Sequence, residues 1–170
     1  LKEWLPFLGK IVAQVGDFKA GMEGKTLLWK TEQVGIQICY EIIFPGLSRA
    51  MVKNNASLLI NITNDAWFGK TSGPYQHFSM TVFRAVENRR TLVRSANTGI
   101  SGFIDPTGRV LASTALLEEA ALVRSVPLIK TKTIYTRIGD LFAHGCFVLA
   151  VVLVLLDIIK FALKIKHARP

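Results

Sequence analysis

A long apolar stretch near the carboxyl end of the chain restricts its fold more than any other feature. Residues 141–163 read LFAHGCFVLAVVLVLLDIIKFAL, and 19 of these 23 are Ala, Val, Ile, Leu, Phe or Cys. As an α-helix the stretch would be about 34 Å long, which exceeds the roughly 30 Å hydrocarbon core of a bilayer. The sequence therefore predicts a transmembrane helix at 141–163, followed by a basic tail at 164–170. The alternative, a buried core helix, is disfavoured because such helices seldom run this long with so little polar surface.

The charge of the chain is concentrated around the same stretch. The 170 residues carry 21 Lys and Arg against 12 Asp and Glu, a formal net charge of +9. Seven of the basic residues lie within 130–170, against Asp140 and Asp157 alone. A basic excess beside an apolar stretch indicates a membrane surface as a partner and argues against nucleic acid. Because half of all residues are apolar and only 19% are charged, intrinsic disorder is excluded.

The rest of the chain shows the pattern of a layered α/β fold with a mixed sheet. Short apolar runs alternate with two amphipathic segments, and loops rich in glycine or asparagine separate them at 14–25 and 64–74. A strong Asp-Pro-Thr-Gly turn at 105–108 predicts a hairpin over 99–113. The predicted strands are 26–31, 33–39, 57–62, 92–96, 99–104, 108–113 and 121–126, and the predicted helices are 45–55 and 75–91.

Cys39 is the first candidate for chemistry, because it follows an apolar strand and precedes a helix. Ligands of α/β folds bind at the carboxyl ends of strands, where backbone N–H groups can form an oxyanion hole beside a nucleophile. The alternative is a small buried hydrophobic residue, the commoner fate of a free cysteine. A nucleophile needs a base, and His77 is the one histidine outside the apolar stretch and the basic tail; a carboxylate is the other option. No spacing typical of a metal site is present, and we predict no cofactor.

Four segments together resemble the nitrilase superfamily of carbon–nitrogen hydrolases. They are Ile38-Cys39-Tyr40-Glu41, the Asn-Asp-Ala-Trp-Phe-Gly loop at 64–69, the helix segment 84–90, and Ser-Ala-Asn-Thr-Gly-Ile-Ser at 95–101. The resemblance covers roughly residues 1–165. It implies part of a nitrilase-like αββα sandwich over 1–135, followed by the single transmembrane helix.

The combination with a membrane span resembles the lipoprotein-acylating branch of this superfamily. That resemblance implies a multi-pass protein of the bacterial inner membrane whose catalytic domain faces the periplasm. Its reaction would move an acyl chain from a phospholipid, through a cysteine thioester, to the α-amine of the diacylglyceryl-cysteine of a lipoprotein. The resemblance makes Cys39 the nucleophile, the backbone N–H of Tyr40 an oxyanion donor, and Glu41 a supporting acidic residue.

The same resemblance assigns roles to residues further along the chain. Trp67 and Phe68 would line the acyl pocket or its lip, with simple core packing as the alternative. The remaining positions would hold the fold rather than touch substrate; they are Asn64, Arg84, Glu87 and Asn97.

One departure from the family pattern limits what the chain is expected to do alone. The catalytic Glu and Lys of the family lie upstream of the cysteine motif, and Lys2 and Glu3 do not match their context. The chain begins at Leu1 without an initiator Met, and we interpret it as a fragment or a processed product. We therefore expect these 170 residues to be inactive and poorly folded by themselves. Two other readings stay open: a soluble amide or nitrile hydrolase using Cys39, and a non-catalytic membrane-anchored binding module.

Overall fold

The computed structural model describes residues 21–160 in full and continues the backbone of the last helix to residue 167. The loop predicted over 14–25 is therefore described only in part, and Lys2, Glu3 and the side chains of the basic tail lie outside the described residues. The strands are β1 (Leu27–Trp29), β2 (Glu32–Ile38), β3 (Ala56–Asn64), β4 (Thr91–Asn97), β5 (Gly102–Ile104) and β6 (Val110–Ser113). The helices are α1 (Pro45–Lys53), α2 (Gly73–Asn88), α3 (Ile134–Ile138) and α4 (Leu141–His167), with 3₁₀ turns at Cys39–Ile43 and Ala66–Phe68.

The six strands form one mixed sheet in which spatial order follows chain order. The three central strands β2, β3 and β4 are parallel, and the flanking strands pair antiparallel. Because parallel strands end at the same edge, Ile38 lies opposite Ile62, and Asn64 lies opposite Asn97. Cys39 and the loops after β3 and β4 therefore meet at one edge of the sheet.

One face of this sheet is covered and the other is largely open. Helices α1 and α2 pack on the covered face, where Ile42, Leu59 and Leu92 are fully buried. On the open face, side chains at alternate positions of β2 and β3 reach considerable exposure, with Ile38 at 60% and Ile62 at 44%. The result is a helix layer and a sheet layer, that is, a partial αββα sandwich.

Local turn chemistry sets the ends of the main elements close to where the sequence predicts them. The hairpin over 99–113 is confirmed, because β5 and β6 pair antiparallel around the turn. The helix predicted over 45–55 ends at Lys53, since Asn54 caps it and Asn55 takes a left-handed φ of 70°.

The strand predicted at 121–126 is wrong, because that segment has no regular structure. Its side chains are exposed, with Leu122 at 39% and Val123 fully exposed, so pairing would bury no apolar face. Arg124 instead reaches β6 through its side chain, donating from Nη1 to the carbonyl of Leu111 at 2.9 Å.

The last helix stands apart from this core. Residues Leu141–Lys160 form a span with a mean hydropathy of 2.5, and none of that span is buried within the structure. The 27-residue helix is about 40 Å long, long enough to cross a bilayer. It is one helix with the length and composition of a membrane span, as the sequence predicts for 141–163.

Candidate functional site

Cys39 occupies a strained backbone position immediately after β2. It begins the 3₁₀ segment Cys39–Ile43, here called the cysteine turn, and its φ is +50°. A left-handed conformation costs a residue with a Cβ roughly 1–2 kcal/mol, so the surrounding structure must impose it. The side chain is half-buried. A cysteine on a sharp turn at the carboxyl edge of parallel strands has the geometry of an exposed nucleophile.

Hydrogen bonds from both sides fix the cysteine turn. The Glu41 carboxylate folds back and accepts from the backbone N–H of Ile38 at 2.8 Å. The side chain of Gln37 donates to the carbonyl of Glu41 at 3.1 Å. Arg84 on α2 donates from Nη1 to the carbonyl of Ile43 at 2.9 Å. Glu41 therefore serves as a capping group of this turn, and Arg84 ties the far end of the turn to the helix layer.

Three aromatic side chains surround the same edge. Tyr40 is more than half exposed, and its ring centroid lies 5.8 Å from that of His77. Trp67, in the 3₁₀ turn after β3, is 87% exposed. Phe68 packs with its ring centroid 5.7 Å from His77, and a Cβ on Gly73 would overlap its ring. Phe68 is thus a packing residue in this structure, whereas Trp67 is free at the surface of the described part.

The four residues predicted to hold the fold lie in two places. Asn64 and Asn97 face each other at the carboxyl ends of β3 and β4; Asn64 Oδ1 accepts from the N–H of Ala66 at 3.1 Å. Arg84 donates from Nη2 to Glu87 Oε1 at 2.7 Å, one turn along α2. Burial raises the pKa of Glu87, and the charge of Arg84 opposes that rise.

A buried polar cluster lies beneath the cysteine turn, and His77 is the one member that the sequence indicates as a candidate. We call it the Asp65 cluster: Asn61, Asp65, His77 and Arg94, each at most 3% exposed. Arg94 Nη2 donates to Asp65 Oδ2 at 2.7 Å, and Nη1 donates to Asn61 Oδ1. His77 Nδ1 lies 2.9 Å from Asp65 Oδ1. Only the fold could reveal this cluster, because its members come from β3, the residue that follows β3, α2 and β4.

The cluster makes His77 an unsuitable base for Cys39. Burial lowers the pKa of His77, the charge of Arg94 lowers it further, and Asp65 opposes both effects. Its Nδ1 is engaged by Asp65, and its Nε2 is buried without a hydrogen-bond partner, so among residues 21–160 no hydrogen bond joins this histidine to the sulfur of Cys39. Burial also lowers the pKa of Arg94, against the opposing charge of Asp65. The base left open by the sequence is therefore not provided by this histidine in this geometry.

Two open cavities adjoin the site. One of about 500 Å³ is mainly apolar and is lined in part by Ile36, Ile38 and Met51. The second cavity is about 480 Å³ and more polar. It is lined in part by Asn97, at the end of β4, and by Glu118. Within the described residues, no group of three or more His, Cys, Asp or Glu side chains is arranged to hold a metal ion.

The fold and the cysteine turn define a class of protein. The family model for carbon–nitrogen hydrolases matches residues 8–134, three quarters of the chain, and the chain belongs to this family. Solved structures support the fold: the NitN amidase from Neterenkonia sp. matches with a TM-score of 0.55, at 24% identity over 76% of this chain and 51% of that one. Nit3 of Saccharomyces cerevisiae, a nitrilase-superfamily member, matches with a TM-score of 0.52 at 24% identity over 59% and 40% of the two chains.

Within the family, the chain is a homologue of the apolipoprotein N-acyltransferases. It is 53% identical over 142 residues to that enzyme of Geobacter metallireducens, covering 84% of this chain and 27% of the relative. It is 44% identical to that of Bdellovibrio bacteriovorus over 70% and 22% of the two chains. For Chlorobaculum tepidum the identity is 35% over 93% and 31%. The chain therefore spans less than a third of the length of these relatives.

Proposed function

We propose that this chain carries the nucleophile of a phospholipid-dependent apolipoprotein N-acyltransferase. The observation that carries the proposal is the position of Cys39: a strained, half-buried cysteine at the carboxyl edge of a carbon–nitrogen hydrolase sheet. The exposed apolar helix α4 favours a membrane substrate over a soluble one. The protein would act in a bacterial inner membrane, multi-pass in full length, with this domain on the periplasmic side.

The proposed reaction has two steps. The thiolate of Cys39 attacks the ester carbonyl of a phospholipid, the ester C–O bond breaks, and the lysophospholipid oxygen takes up a proton. The α-amine of the diacylglyceryl-cysteine of a lipoprotein then attacks the thioester, an amide forms, and the C–S bond breaks to return the thiolate. The amine proton passes to a base. In both tetrahedral intermediates the backbone N–H of Tyr40 is a donor to the oxyanion.

The other site residues divide into substrate and support roles. Trp67 is the better candidate for a lip that contacts the acyl chain, because it is exposed beside the cysteine turn. Phe68 supports the site by packing, because its ring lies against His77. Glu41 shapes the turn through its bond to the N–H of Ile38. Supporting roles fall to Asn64, Arg84, Glu87 and Asn97.

We further propose that these 170 residues do not catalyse the reaction alone. Among residues 21–160, no hydrogen bond joins His77 to the sulfur of Cys39, and Glu41 is engaged as the cap of the cysteine turn, so neither is placed to act as the base. The family's catalytic Glu and Lys would come from outside this sequence. Detecting phospholipid-dependent acyl transfer by the isolated 170 residues would contradict this proposal.

Acyl labelling of the full-length gene product tests the proposal directly. Detergent-solubilised protein is incubated with a phospholipid carrying a labelled acyl chain, and thioester is measured as label released by neutral hydroxylamine. Cys39→Ser is expected to abolish thioester, and Cys146→Ser, which removes the other cysteine of these 170 residues, is expected to retain it. Thioester that persists in Cys39→Ser would remove Cys39 from its role. Release of ammonia from a simple amide, without acyl labelling, would support the hydrolase alternative instead.

A further inference from the structure

The carbonyl of Cys39 falls just outside the backbone ladder of the sheet. The last residue pair between β2 and β3 is Ile38 with Ile62, so no backbone N–H of β3 is paired with the residue that follows. The side chain of Asn61 supplies a donor there. Its Nδ2 donates to the carbonyl of Cys39 at 3.2 Å and to that of Gln37 at 3.1 Å. The side chain of Asn61 therefore takes the place of the next backbone donor and holds the first carbonyl of the strained turn.

Arg94 decides which way the amide of Asn61 points. A guanidinium only donates hydrogen bonds, so Asn61 must present Oδ1 to Arg94 and, as a consequence, Nδ2 to the cysteine turn. Asp65 holds Arg94 in turn, accepting from Nη2 at 2.7 Å. Gly99 completes the arrangement, because a Cβ at that position would overlap the Asp65 carboxylate. A directional chain of contacts thus runs from a fully buried ion pair to the backbone of Cys39.

We propose that Asn61 is a positioning residue for the nucleophile, and that Arg94 and Asp65 act on Cys39 through it. The proposal rests on the acyl-transfer role proposed for Cys39. Asn61 acts through the backbone: it holds the carbonyl of Cys39 and so keeps the residue at its left-handed φ. Loss of the donor should therefore slow reactions of the thiol without weakening substrate binding.

Asn61→Asp tests this with little change in side-chain size. The variant keeps an oxygen for Arg94 but turns a carboxylate oxygen, in place of an N–H donor, toward the carbonyl of Cys39. Asn88→Asp is the matched control: Asn88 is also fully buried and donates to a backbone carbonyl, that of Arg84, at 3.1 Å, but belongs to α2. Both are made in the full-length gene product with Cys146→Ser, so that Cys39 is the thiol observed in this domain.

Three measurements are compared in detergent: kcat and KM for thioester formation, the alkylation rate of Cys39 by iodoacetamide, and the thermal midpoint. In Asn61→Asp we expect kcat and the alkylation rate to fall about tenfold, the size of one lost hydrogen bond converted to a rate, with KM within about twofold. In Asn88→Asp we expect the thermal midpoint to fall by about as much as in Asn61→Asp, while kcat and the alkylation rate stay unchanged. Gly99→Ala, which acts through Asp65, should move kcat and alkylation in the same direction, and it serves if Asn61→Asp does not fold.

The outcomes separate this proposal from the acyl-transfer role. Thioester formation in the parent, with rates in the folded variants equal to those of Asn88→Asp, would overturn the positioning role and leave the function intact. If kcat and the alkylation rate fall by the same factor in Asn61→Asp and in Asn88→Asp, the positioning role is also overturned, because the loss is then a general effect of instability. If the parent forms no thioester but alkylation still falls in Asn61→Asp alone, the proposed function fails and the positioning of Cys39 stands.

Discussion

The α/β domain and the C-terminal helix place charge and apolar surface in opposite ways. The domain buries three guanidinium groups, those of Arg84, Arg90 and Arg94, each at most 5% exposed. Helix α4 exposes large apolar side chains instead, with Phe142 at 81% and Phe147 at 70%. The usual pattern of a water-soluble protein is thus reversed at both sites.

The difference shows what each region needs from its surroundings. A buried charge is tolerated only when directional partners replace water. Arg90 donates to four backbone carbonyls, those of Ala56, Asn88, Arg89 and Thr131, at 2.6 to 3.1 Å. An apolar helix satisfies its own backbone and needs only an apolar solvent, which a bilayer provides. The domain therefore depends on defined hydrogen-bond geometry, which holds the cysteine turn in place. The helix depends only on its length and hydrophobicity.

The largest expected effect comes from breaking the buried ion pair. Asp65→Ala leaves Arg94 and His77 buried without their carboxylate partner, which should lower the free energy of unfolding of the domain by about 3–5 kcal/mol. Urea denaturation of the detergent-solubilised full-length gene product, followed by tryptophan fluorescence, measures the loss. The control is Glu118→Ala, at an exposed position after β6, which should change stability by less than about 0.5 kcal/mol. Equal stabilities for the two variants would mean that the cluster does not hold the domain together.

The second effect is the cost of placing a charge in the apolar helix α4. Leu149→Arg places a charge near the middle of the span, which should cost about 3 kcal/mol of insertion free energy. Ile159→Arg lies near the end of the span, where a long side chain reaches the interface, and should cost much less. Both are scored by glycosylation in a membrane-insertion reporter. Equal insertion of the two variants would show that α4 does not lie across lipid.

The sequence is informative about the two regions for different reasons. The helix and the hairpin at 99–113 follow from local signals, a long apolar run and an Asp-Pro-Thr-Gly turn, so short-range physics suffices. The Asp65 cluster does not follow from local signals, because Arg94 lies two residues after Leu92 on β4 and is buried on the same, covered side of the sheet. A charged residue in a strand normally indicates solvent, and its partner Asp65 is 29 residues away. Only the parallel register of β3 and β4 brings them together.

The candidate site also combines features that local sequence indicates with features that only the fold provides. The Ile-Cys-Tyr-Glu motif and its resemblance to a known family locate Cys39 at the end of a strand, and the structure adds the positive φ that no motif contains. His77 is a candidate base by elimination in the sequence, whereas its position beside Asp65 indicates a structural partner. The strand predicted at 121–126 fails because apolar composition alone does not provide a face to bury.

The third effect concerns the junction between the two regions. Arg49 on α1 donates to the carbonyls at the end of α3, which immediately precedes α4, at 3.0 to 3.2 Å. Arg49→Met keeps most of the apolar stem and removes these bonds, so unfolding free energy should fall by about 1–2 kcal/mol and proteolysis near Gly139 should accelerate. Arg124→Met, which loses one exposed bond, is the control. Unchanged cleavage in Arg49→Met would mean that Arg49 does not fix the junction.

The smallest effect comes from Asp105, a carboxylate in the hairpin turn that is slightly more exposed than Asp65. Asp105 closes the hairpin turn: Oδ1 accepts from the N–H groups of Thr107 at 2.8 Å and Arg109 at 3.0 Å. Bonds from Thr107, chiefly from its hydroxyl, lower the pKa of Asp105 from 3.8 to about 2, against the opposing effect of desolvation. Because the folded pKa lies below the unfolded one, the stabilisation is complete above about pH 4 and is lost as the pH falls toward 2.

Asp105→Asn should therefore lower the free energy of unfolding by about 1 kcal/mol at neutral pH, less than the full linkage value because solvent screens the turn. The difference between parent and variant should shrink between pH 4 and pH 2, as the parent carboxylate becomes protonated. Urea denaturation at four pH values across this window measures it, with Glu118→Gln as an exposed control. A difference that stays constant over the window would show that geometry, not the charge of Asp105, stabilises the turn, and would confine charge-dependent stability in this domain to its buried pairs.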